Sequence, residues 1–143
     1  MKIKRRKLST FEQSFIQERA NKCCEYCKFP LNYSHDSFHI EHIIPLQLGG
    51  TNELNNLAFA CDGCNSNKWA FIEGKDSISG LSFPIFNPRK DEWSTHFMWV
   101  DDFTIIQGIT SEGRVTVDLL KMNRKGLINV RRALRAFGVH PVV

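Results

Sequence analysis

No stretch of the 143-residue chain approaches the ~20 consecutive apolar residues that a membrane-spanning helix needs, so no membrane partner is expected. Internal repeats and low-complexity tracts are missing too, which sets aside solenoids and disordered linkers. Acidic residues are absent from both ends: residues 1–10 carry five basic groups and no acid, and residues 121–143 carry six and no acid. With a net charge of +4, the stretch between them carries −7. Clustered Lys and Arg at two ends suggest a polyanionic partner. The basic run Met1-Lys2-Ile3-Lys4-Arg5-Arg6-Lys7 has no apolar stretch after it, so it does not read as a secretory signal. A cytoplasmic, reducing compartment is the expectation, in which five cysteines read as metal ligands before disulfides.

What is present describes one folded unit. The length is near the ~150 residues typical of one domain, and 42% hydrophobic with 24% charged residues argues against disorder. The spacing predicts a helix from Ser9 to about Cys23, capped by Ser9 or Thr10 with Glu12 in its first turn. A tight turn at 24–27 and a polar loop at 31–37 follow. Phe38 to Ile44 reads as a short strand closed by Pro45, and Leu54 to Ala60 as a second extended segment. Asp62 is the expected cap of a helix running to about Ile72. Residues 73–92, with Gly74, Gly80, Pro84 and Pro88, read as a connection with little regular structure. A hairpin around Asp101-Asp102, an apolar-periodic segment from Val115 to Met122 and an amphipathic helix over 126–138 complete the chain. Trp69, Phe71, Trp93, Phe97 and Trp99 are expected in the core. The expected organisation is a core over 1–75 and an extension over 76–143 packed on it.

Two Cys-x-x-Cys pairs, Cys24/Cys27 and Cys61/Cys64, lie 33 residues apart. A two-residue spacer lets both sulfurs of one turn reach one ion, and four thiolates suit tetrahedral zinc. Such a closed site holds a fold and leaves no open position for chemistry. Cys23 adjoins the first pair, although the spacing favours Cys24. The long insert suggests that a functional element is folded between the pairs.

That element resembles the HNH endonuclease family, the ββα-metal (His-Me finger) nucleases, in its zinc-containing bacterial branch. The residues that carry the resemblance are Phe38-His39-Ile40-Glu41-His42-Ile43-Ile44-Pro45, Gly49-Gly50, Asn56-Leu57 and Cys61-x-x-Cys64-Asn65-x-x-Lys68. A tail from Phe86-Asn87-Pro88-Arg89 through Trp93, His96-Phe97, Gly113-Arg114 and Met122-Asn123 to Arg131-Arg132 is similar to that of a subset of these proteins. The fold so implied is α+β: a ββα-metal core stapled by a four-Cys zinc site, with a C-terminal mixed segment ending in an amphipathic helix.

The resemblance implies a general base at His42, an orienting hydrogen bonder at Asn56, and a divalent cation held by Glu41 and Asn65. Imidazole chemistry near neutral pH suits activation of water, and a hard cation such as Mg²⁺ or Mn²⁺ suits oxygen ligands and a phosphoryl group. His39 shares a strand face with Glu41 and is a candidate second metal ligand. Many relatives carry Asp in place of Glu41, and the extra methylene shifts the carboxylate by about 1.5 Å. Neighbours on a regular strand face opposite sides, so Glu41 and His42 can serve one site only if the strand bends, bulges or ends beside them. Lys68, Arg131, Arg132 and Arg135 are the candidate phosphate contacts. The leading expectation is a metal-dependent endonuclease acting on double-stranded DNA. The rivals are a zinc-stabilised nucleic-acid-binding module with a degenerate site, and a nuclease effector of a bacterial defence system held by a regulatory protein partner.

Overall fold

The computed structural model describes residues 3–142, so Met1 and Lys2 of the basic run lie outside the described residues. Helix α1 (Thr10–Arg19) begins where the sequence places it. Ser9 accepts from the Glu12 N–H, and the Glu12 carboxylate accepts from the Ser9 N–H, a reciprocal capping box. Strands β1 (His39–His42) and β2 (Leu57–Ala60) form an antiparallel hairpin in which Ile40 faces Phe59 and Glu41 faces Ala58.

All four residues of β2 are buried, which requires cover on both faces. Leu57 and Phe59 pack with Ile16 and Ala20 of α1, while Ala58 and Ala60 join the cluster that holds the cysteines. Helix α2 (Asp62–Lys68) lies on this second side. Two sequence expectations are corrected here. The α2 cap is Cys61, whose Sγ accepts from the Cys64 N–H, and the helix stops at Lys68 rather than near residue 72. The residue that stops it, Trp69, has φ +45° and ψ −119°.

The C-terminal half holds more regular structure than expected. Strands β3 (Glu73–Lys75) and β4 (Ser82–Pro84) pair within the segment read as a plain connection. A single turn, α3 (Trp93–His96), leads into the hairpin of β5 (Phe97–Val100) and β6 (Ile105–Gly108). Helix α4 (Ser111–Leu120) starts earlier than the 115–122 segment because Thr110 caps it, its hydroxyl accepting from the Gly113 N–H. Helix α5 (Lys125–Ala136) ends the described architecture. Phe86, Phe97, Val115, Leu120 and Leu134 share one core with Cys24, Tyr26 and Cys64. Among the described residues no helix is long and apolar enough to cross a membrane.

Candidate active site and metal centre

Both cysteine pairs fold into the same turn. The Cys27 N–H donates to Cys24 Sγ and the Cys64 N–H to Cys61 Sγ, each at 3.4 Å. Four buried sulfurs, from Cys24, Cys27, Cys61 and Cys64, lie within 4.8 Å of one another, with Cys27 and Cys61 Sγ 3.7 Å apart. This cluster is compatible with a zinc ion. Cys23 stays out of it, its backbone bridging instead to Pro30. Hydrogen bonds from Cys24, Cys27 and Cys64 push the Cys61 thiol well down. Arg124 places its guanidinium 3.5 Å from Cys61 Sγ and 3.9 Å from Cys64 Sγ, offsetting negative charge on the sulfurs. It passes over the start of α2, where a Cβ at Gly63 would lie 2.4 Å from the guanidinium and displace it.

The first turn also reaches toward β1. The Tyr26 hydroxyl, fully buried between Cys24 and Cys27, donates a hydrogen bond to Glu41 Oε1. Lys68 donates to Glu41 Oε2 at 2.9 Å, to the Ile43 carbonyl at 2.9 Å and to the His42 carbonyl at 3.2 Å. Burial pushes the Glu41 carboxyl up, against the pull of the adjacent ammonium. Lys68 is only 1% exposed. The expected phosphate contact is therefore corrected: this ammonium is spent on the carboxylate and on two carbonyls that leave the strand after Glu41.

β1 ends at His42, so the strand stops at the point where the sequence requires a break. Beyond the strand end, Glu41, His42 and Asn65 line one cleft of about 310 Å³, together with Arg5 and Trp69. Asn65 sits half-buried on α2, and its N–H donates to the Cys61 carbonyl. Among the described residues, its carboxamide makes no hydrogen bond of its own.

Asn56 orients the loop. Its Nδ2 donates to the Ile44 and Thr51 carbonyls at 2.9 and 2.8 Å, and its Oδ1 accepts from the Ile44 N–H at 3.0 Å. Gly50 is needed where this loop folds back, because a Cβ there would meet the Ile44 carbonyl oxygen at 1.8 Å.

The imidazole is oriented by a residue the sequence reading missed. His42 Nε2 lies 2.9 Å from Asn52 Oδ1. The amide's other partners fix which atom is which: Asn52 Nδ2 donates to the Lys4 carbonyl at 2.8 Å, and Oδ1 accepts from the Arg6 N–H at 3.3 Å. Oδ1 can only accept, so in the neutral ring Nε2 carries the proton and Nδ1 the lone pair. The basic arm at the N-terminus thus reaches the site through Asn52, a contact between residues 46 to 48 apart in the chain that local pattern cannot announce.

His39 is not brought into the cleft. Its Nε2 pairs with Asp62 Oδ1 at 2.8 Å, on the same β1 face as Glu41 but at the far end of α2, which corrects the expected metal ligand. Arg131 is corrected as well. It is 1% exposed, donates to the Thr104 and Met122 carbonyls and to Asn123 Oδ1, and lies over the Trp99 ring at 5.2 Å. Arg132 is exposed and donates to Asn129, while Arg135 pairs with Asp102 and lies over Phe103. Neither is near His42 by any of these contacts. Trp93, Phe97 and Trp99 pack against the core as expected, but Trp69 is 74% exposed and Phe71 43%, contrary to expectation.

A two-stranded hairpin and a short helix, with four cysteines grouped beside them and a histidine at the strand end, form a ββα arrangement. Residues 24–71 match the family model described as HNH endonuclease. That match spans both cysteine pairs and every cleft residue named above except Arg5. No curated protein and no solved structure matches the chain.

Proposed function

We propose that the chain is a metal-dependent nuclease that hydrolyses DNA phosphodiester bonds with His42 as general base. The observation that carries this reading is the shared cleft, lined by His42, Glu41 and Asn65, with the His42 ring held by Asn52. Nδ1 of His42 would take the proton of an attacking water, and Asn52 would hold the ring while that proton is transferred. Arg5, lining the same cleft, would offset phosphate charge. Its guanidinium already donates to the Ile40 carbonyl at 2.5 Å, which keeps the group close to β1.

The four buried sulfurs fit a structural zinc ion, held by Cys24, Cys27, Cys61 and Cys64. The oxygen donors of Glu41 and Asn65 fit a hard divalent cation such as Mg²⁺ or Mn²⁺, because each Glu41 oxygen has one hydrogen-bond partner and two lone pairs. When bound, that cation would supply charge stabilisation at the phosphoryl group and the leaving oxygen. Plasmid nicking in Mg²⁺ or Mn²⁺ tests the reading: His42→Ala should lose about 100-fold or more of the wild-type rate, as removal of a general base does. Equal rates for the two proteins would overturn it.

One observation favours a second reading. Lys68 already balances the Glu41 carboxylate, so that carboxylate has its counter-charge without any added cation. A nucleic-acid-binding module without turnover would show salt-sensitive binding and no nicking by wild type.

A further inference from the structure

The aromatic pair beside the cleft is the feature that neither core packing nor the proposed chemistry uses. Trp69 lines the same cleft as His42 and Glu41, yet leaves most of its surface in water. Phe71 meets it edge to face, with ring centroids 5.8 Å apart and an interplanar angle of 75°. Backbone hydrogen bonds pin both residues to α2, from the Trp69 N–H to the Asn65 carbonyl and from the Phe71 N–H to the Lys68 carbonyl. The pair is therefore a presented surface on a fixed base.

Its backbone adds an independent observation. A φ of +45° with ψ −119° is the mirror image of an ordinary turn conformation, and glycine is the residue that adopts it without steric cost. A bulky aromatic held there, and held in water, gains nothing from burial to offset the strain. Strained positions of this kind collect at ligand-binding sites. Charge at the rim points to the ligand's class. Arg5 lines the cleft with Trp69, so a cation and a flat apolar ring border the same opening. That combination suits a nucleic-acid strand, whose phosphates take the cation and whose bases offer π-faces.

We propose that Trp69, supported by Phe71, is a stacking platform for an unpaired or extruded base next to the cut phosphate, so that the preferred substrate is single-stranded or locally unpaired nucleic acid rather than relaxed duplex. This rests on the reading of the cleft as a nucleic-acid site. Fully paired bases keep their faces stacked on one another and cannot use the platform.

Binding is measured on a His42→Ala background, so that loss of turnover cannot mimic loss of affinity. The probes are a single-stranded oligonucleotide, a duplex with a central unpaired bubble, and the fully paired duplex. Trp69→Ala should weaken the first two about tenfold and the third less than twofold, since one stacked base is worth about that much to single-strand binding. Trp69→Phe should recover most of the loss. Trp69→Gly should lose the same affinity while melting no lower than the parent, because glycine relieves the backbone. Equal effects of Trp69→Ala on all three probes would overturn the platform, as would a Trp69→Gly protein that melts lower and binds normally. Neither result would touch the nuclease assignment, which stands or falls on nicking by the His42 pair of proteins.

Discussion

Arg5 and Arg131 both come from acid-free stretches of the chain, yet one guanidinium lines the cleft beside His42 and the other is sealed under Trp99. Between them they show that a run of basic residues has two physical fates. At the N-terminus the arm lies on the surface, with its carbonyls and N–H groups used to set Asn52 and its side chains left largely outside. At the C-terminus the α5 helix turns one arginine inward, where it satisfies the carbonyls of Thr104 and Met122 and joins β6 to the helix through Asn123. Only the first arrangement leaves charge available to a phosphate.

The largest expected effect breaks the inward arginine. Arg131→Met leaves the buried Thr104 and Met122 carbonyls without this donor, each costing about 1–3 kcal/mol, so a loss of about 3 kcal/mol is expected in equilibrium denaturation. The affinity of the folded variant for nucleic acid should be unchanged; a weaker complex from an otherwise stable protein would reverse the comparison.

A smaller effect, of opposite kind, is expected from Arg5→Gln. Stability should stay within about 0.5 kcal/mol, while nucleic-acid affinity falls and the slope of log K against log salt flattens by about one. Arg132→Gln, on the exposed face of α5, is the control that should move neither quantity. A flattened slope for Arg132→Gln and none for Arg5→Gln would place the phosphate path on the other end of the molecule.

The smallest effect concerns how the arm is docked. The Arg6 guanidinium and the Ser9 N–H hold the Glu12 carboxyl at about 2, below its ordinary value near 4.5. A depressed carboxyl contributes to stability above pH 4.5, and that contribution is lost as pH falls through about 2. An NMR titration of Glu12 should therefore find its midpoint near pH 2; a midpoint near 4.5 would mean an undocked arm and an Asn52 amide without its clamp.

Parts of this organisation were legible in the residues themselves. The Ser9–Glu12 box and the two Cys-x-x-Cys turns are local chemistry, so their spacing carries over directly into structure. Glu41, His42 and Asn65 share a cleft because the strand ends between a charged pair and a loop that Asn56 ties down, and the FHIEHIIP and Cys-Asn-x-x-Lys segments announce both parts. What escaped depends on long-range partners. Asn52 has no distinguishing neighbours in sequence and acquires its role only when the arm folds back on it. Lys68 and Arg131 look like solvent-facing cations because most of their acceptors are backbone carbonyls, which leave no trace in a string of side chains. Trp69 looks like core because aromatics usually are, and its exposure follows from the backbone reversal that ends α2.

Tyr26 leaves the molecule with an unexpected dependency. The residue lies in the turn between Cys24 and Cys27, its carbonyl accepts from the Trp93 indole, and its hydroxyl ends on the carboxylate at the cleft. Whatever loosens the cysteine turn therefore withdraws a strut from under Glu41. A reagent that acts on the cysteines alone would thereby disturb the carboxylate at the cleft without entering it.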